Sequence, residues 1–100
     1  MSKLLPPIHP GEILLKDLME PLSLSQNELA RALGVDARRI NQIINGTRRI
    51  TGDTALRLSR YFNMSPDFWM NLQARYDLEV AKDAKAEEIK KMVKARPQAA

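Results

Sequence analysis

One hundred residues make a single domain able to bury a core without staples. The absence of cysteine excludes a disulfide framework and a thiolate metal site, so a reducing, cytoplasmic setting is expected. No apolar run approaches the ~18 residues of a membrane span, and "KLLPP" breaks at Pro6 and Pro7 before a signal-peptide core forms; neither a membrane segment nor secretion is expected. The net charge of +4 is uneven: between residues 31 and 60 seven arginines face only Asp36 and Asp53, a footprint for a polyanion unless that face is merely solvated.

Taken in chain order, the pattern predicts five helices. The first spans residues 10–19: Pro10 suits an opening turn, Leu14, Leu15, Leu18 and Met19 recur at helical spacing, and Pro21 ends it. In the second, residues 25–33, Ser25 caps the first turn while Glu28 reaches back, Leu29, Ala30 and Leu33 form the apolar face, and Gly34 stops it. Asp36 caps a third over residues 36–45, closed by Gly46. A fourth covers residues 51–62. Ser65, Pro66 and Asp67 then open the longest, residues 65–81, after which residues 82–100 form a basic tail, read as a marginal helix or a frayed end. No stretch sustains the alternation of a strand, so the fold is read as all-α: a compact helical domain over residues 1–81 followed by the tail.

The second and third helices, joined by a short turn at Gly34 with small Ala30 where their axes approach, have the sequence shape of a helix-turn-helix. Ile40, Ile43 and Ile44 share one side of the third helix, and Ala37, Arg38, Asn41, Gln42 and Asn45 the other. Those polar groups match the edges of DNA bases: arginine forks onto guanine, asparagine and glutamine pair with adenine, and alanine meets a thymine methyl. Beyond its cap Asp36 the helix has no carboxylate to repel phosphates. Base contacts are therefore expected from Ala37, Arg38, Asn41 and Gln42. Phosphate contacts are expected around them, from Gln26 at an amide-rich helix start, Arg39, and the loop carrying Thr47, Arg48 and Arg49.

The segments "LSQNELARALGV", "RRINQIINGTRRIT" and "TALRLSRYFNMSPDFWMNLQARYDLE", with the opening "IHPGEILLKDLMEPLSLS", resemble the Xre or lambda-repressor-like helix-turn-helix superfamily and, within it, the HigA-type antitoxins. The likeness runs from Ile8 to Ala81. It implies a lambda-repressor-like fold and a repressor of its own operon, acting on a palindromic operator in double-stranded DNA and binding a partner ribonuclease toxin, HigB. By position, Ala37, Arg38 and Gln42 resemble the family's base-contacting residues, and Gln26, Arg39, Asn45 and Thr47 its phosphate-contacting ones. Arg48 and Arg49 extend that cluster by charge.

Other constellations are weaker. His9 and Glu12 are too few for a metal site, and with one histidine in the chain no nucleophilic triad assembles elsewhere, so no metal, cofactor or catalytic residue is expected. Phe68, Trp69, Leu72 and Tyr76 form an aromatic-rich stripe, divided between core packing and the interface of a two-fold homodimer, with Trp69 or Tyr76 near the axis. Two rivals stand beside the antitoxin: a phage-like or housekeeping repressor without a toxin, and a protein-interaction module that has lost DNA binding. A toxin reading frame beside the gene separates the first, and salt-dependent operator binding the second.

Overall fold

Each of the five described helices starts with a side chain that accepts an amide proton from its first turn. The computed structural model describes residues 5–98, which form five helices and no strand. His9 Nδ1 accepts from Gly11 at the start of α1, whose α-helical turn Pro10–Ile13 continues as a π-helix, Leu14–Met19. Ser25 and Glu28 exchange both bonds of a capping box, at 3.0 and 2.9 Å, before α2 (Gln26–Leu33). Asp36 caps α3 (Ala37–Ile44), Thr51 caps α4 (Gly52–Phe62) and Ser65 caps α5 (Pro66–Met92). Because each cap satisfies an otherwise orphaned donor, the helix starts are fixed by local sequence.

The helix ends are equally local. Gly34 at φ +71° turns the chain out of α2, and the Val35 N–H then reaches back to the Ala30 carbonyl at 3.0 Å. Asn63, left-handed at φ +58°, does the same after α4. In α1 the Glu20 N–H reaches five residues back to Leu15, and this wider turn carries both Leu14 and Met19 into the core.

The core gathers Leu14, Leu29, Leu33, Ile40, Ile43, Ile50, Leu58 and Trp69 between the helices, all at most 5% exposed. Ala30, also buried, lets α2 and α3 approach closely. Two expectations are corrected. The fifth helix does not stop near residue 81: with no glycine or proline before Pro97, it runs on to Met92, so the start of the basic tail is helical. Trp69 offers no surface to a second copy, because it is wholly buried within its own chain.

Candidate nucleic-acid interface

The third helix turns Ile40 and Ile43 inward, and this fixes what its other side offers. Arg38, Asn41 and Asn45 are exposed and Gln42 is half-buried at the edge of that face. Ala37 is half-buried and packs partly against the core, leaving an apolar contact as its only chemistry. Asp36 aims one carboxylate oxygen at the Arg38 N–H, 2.9 Å away, so the acid serves the helix start. Among the described residues the Arg38 guanidinium has no carboxylate partner.

Hydrogen bonds join the polar side chains across the two helices. Asn41 Nδ2 donates to Gln26 Oε1 at 3.2 Å, and Asn45 Nδ2 donates to Asn41 Oδ1 at 3.2 Å. After α3, Gly46 at φ +77° folds the chain back, the Thr47 N–H and hydroxyl both donate to the Gln42 carbonyl, and Arg48 Nη1 donates to Gln42 Oε1 at 3.1 Å. Gln26, Asn41 and Asn45 thus form one hydrogen-bonded group, and Gln42, Thr47 and Arg48 a second. Such groups suit base edges flanked by phosphates.

Arg39 and Arg49, both expected to contact phosphates, are each paired with an acid. Arg39 Nη1 lies 2.7 Å from Asp53 Oδ2, which Arg57 Nε also approaches at 2.9 Å. Hydrogen bonds from Arg39, and then from Arg57, hold the Asp53 carboxyl below the usual carboxylate range. Arg57 further donates to the Leu33 and Gly34 carbonyls at the end of α2, at 2.7 and 3.3 Å. One carboxylate therefore ties α3 to α4, and through Arg57 to α2. Arg49 instead pairs with Asp77 of α5 at 2.9 Å. Arg39 thus braces α3, and Arg49 the loop that follows it.

Three further residues help to position this surface: Gly11, His9 and Gln73. A Cβ on Gly11 would collide with the Ile43 carbonyl, so α1 seats directly on α3 because residue 11 has no side chain. His9 packs edge-to-face on Tyr76 with ring centroids 4.8 Å apart; partial burial lowers its pKa, against a raising influence from Asp77. Gln73, buried, accepts from the Ile50 N–H at 2.7 Å and donates to Asp77 at 2.9 Å, which anchors the loop leaving α3. Of these only His9 draws notice in the sequence, as a metal ligand with too few partners; the contact of Gly11 is with a residue far along the chain.

The aromatic stripe divides. Phe68 is 41% exposed, Trp69 is core, and Leu72 and Tyr76 are half-buried. Leu72 lines an apolar groove with Leu5, Pro6, Ile8 and Ile13, edged by Arg75 and Glu79. Among the described residues no three His, Asp or Glu side chains gather as a metal site, and no helix is long and apolar enough to cross a membrane.

A family model described as Helix-turn-helix matches residues 15–69. The chain is 49% identical over 81 residues to virulence-associated protein I of Dichelobacter nodosus, an alignment covering 81% of this chain and 75% of that protein. Antitoxin HigA-1 of Vibrio cholerae is 32% identical over 84 residues, covering 84% of this chain and 79% of the relative. In three dimensions the Pseudomonas aeruginosa antitoxin HigA, solved with the higBA promoter, matches with a TM-score of 0.88 at 43% identity, over 91% of this chain and 99% of that one.

Proposed function

The chain belongs to the helix-turn-helix family, alongside the HigA antitoxins, and we propose that it binds a palindromic operator, represses its own operon and neutralises a HigB-type ribonuclease toxin. The observation that carries the DNA-binding part is the outer side of α3. Arg38, Asn41 and Asn45 stand exposed there beside Gln42, while the one acid of that segment, Asp36, caps the helix. The likeness to an antitoxin solved on promoter DNA supports the same reading.

Arg38, Asn41 and Gln42 read base edges in the major groove, with Ala37 against a thymine methyl. Gln26, Asn45 and Thr47 hold the phosphates, and Arg39 and Arg49 contribute long-range attraction while bracing the fold. A palindrome is matched by two copies whose reading helices lie about 34 Å apart. The second copy is placed on the groove at Leu72, where exposed Leu5 and Ile8 meet the oppositely charged Arg75 and Glu79, with Phe68 and Tyr76 alongside. No catalytic role is proposed for any residue.

Fluorescence anisotropy with the protein's own upstream promoter duplex and a scrambled duplex, at two salt concentrations, tests the repressor. Salt-sensitive binding at least about tenfold tighter to the promoter is expected. Equal weak binding to both refutes it in favour of an interaction module. Sedimentation at a monomer's mass refutes the dimer. Failure of the protein encoded by the adjoining reading frame to co-purify refutes the antitoxin role and leaves a repressor alone.

A further inference from the structure

We propose that Arg48, which lies outside the reading helix, sets base specificity by holding the Gln42 carboxamide, and is a positioning residue in place of the phosphate contact its charge suggests. The inference rests on α3 being the DNA-reading helix.

The backbone brings the two side chains together. Gly46 reverses the chain in a left-handed conformation that other residues adopt at a cost. The Gln42 carbonyl then accepts from Thr47 twice, from N–H at 2.9 Å and from Oγ1 at 3.2 Å, which lays the loop along the last turn of α3. Arg48 follows directly, with Nη1 at 3.1 Å from Gln42 Oε1. The neighbouring arginine points elsewhere: Arg49 is drawn to Asp77 at 2.9 Å, and Asp77 is itself held by Gln73 at 2.9 Å. The buried bond from Ile50 to Gln73 anchors the same loop one residue further on. Arg48 is thus directed over the reading face by contacts on both sides of it.

The chemistry of the pair gives this geometry its consequence. A glutamine carboxamide presents oxygen or NH2 almost interchangeably, and an unrestrained one reads ambiguously. A guanidinium only donates, so the atom facing Arg48 is the oxygen, and the bond is strengthened by the charge. The Gln42 NH2 is left as the group free to meet a base. A donor so placed finds acceptors at guanine O6 and N7, at adenine N7 or at thymine O4, and none on the cytosine edge. Without Arg48, the carboxamide is free to turn and to accept from adenine N6 or cytosine N4 as readily, so discrimination against cytosine is lost. The preference encoded by Gln42 is therefore set in part six residues further along the chain.

The test is a double-substitution cycle on the full chain. Binding is measured to the operator duplex, to variants with each base pair replaced in turn, and as a function of salt. Arg48→Ala is expected to reduce discrimination by roughly fivefold or more at the base pairs that also lose it in Gln42→Ala, and at no others. In the Gln42→Ala background, Arg48→Ala is expected to leave the preference profile unchanged. The salt slope is expected to fall by less than the roughly one unit that marks a lost phosphate contact. Uniform weakening on every duplex, with a slope lower by about one unit and an intact profile, overturns the proposal. Wild-type protein that does not distinguish operator from scrambled duplex overturns the DNA-reading function beneath it, before any substitution is examined.

Discussion

The Gln73 side-chain oxygen accepts the Ile50 main-chain N–H at 2.7 Å inside the core, so α5 closes the hydrogen-bond account of the loop that leaves α3. Leucine at position 73 keeps the bulk and removes the acceptor. Gln73→Leu is expected to lower stability by about 1–3 kcal/mol, because a buried donor is left without a partner. Urea unfolding checks this: the midpoint should fall with the slope unchanged.

Two glycines make an internally controlled pair. Gly11→Ala forces a methyl against the Ile43 carbonyl, while nothing lies within 4 Å of the corresponding atom at Gly52, the first residue of α4. The first substitution is expected to cost about 1–3 kcal/mol and to weaken operator binding by shifting α3. The second is expected to be neutral or to stabilise by up to about 1 kcal/mol. Thermal unfolding of both variants under one buffer condition distinguishes them.

Acid should loosen the contact between α1 and the end of α3. Burial places the folded-state pKa of His9 below its ordinary 6.5, so the unfolded chain binds the proton more readily. The contribution is complete above pH 6.5 and is lost as pH falls through the lower folded-state value. A proton on Nδ1 also removes the acceptor of the Gly11 N–H. Melting temperature should drop between about pH 7 and pH 5 in the wild type, and drop less in His9→Asn, which retains a side-chain acceptor without titrating there.

Adjacent arginines on α3 should fail in different ways. Arg38→Ala removes an exposed guanidinium with no carboxylate partner among the described residues, and is expected to relax base preference at a cost of about 1–3 kcal/mol. Arg39→Ala breaks the link to Asp53 and is expected to lower thermal stability and weaken all duplexes together. Competition binding with single-base operator variants, paired with melting curves, separates the two profiles.

The parts of this molecule legible in sequence were those settled within a few residues. Ser25 with Glu28, Asp36, and Ser65 with Pro66 announced their helices because a cap and its target lie within three positions. The outward side of α3 was legible because the isoleucines fix its phase. The pairings of Arg39 with Asp53 and of Arg49 with Asp77 join residues far apart in the chain, and charge alone does not reveal which arginine meets an acid. Trp69 illustrates the same limit: an aromatic stripe does not say which member faces inward until the neighbouring helices are in place. The tail stayed open between a marginal helix and a frayed end because the final turns of α5 have strong helix propensity but almost no apolar face to dock.

That long helix consequently holds two regimes of persistence in one continuous backbone. Through Glu79 it carries buried and half-buried residues of the folded domain, so its amide hydrogens there are expected to exchange slowly, through opening of the domain. From residue 80 onward every described side chain is exposed, and the remaining turns are held by little beyond their own ladder. Helices of that kind open and reform within about a microsecond. Amide exchange along α5 should therefore change abruptly near residue 80, without any break in the helix to mark the place.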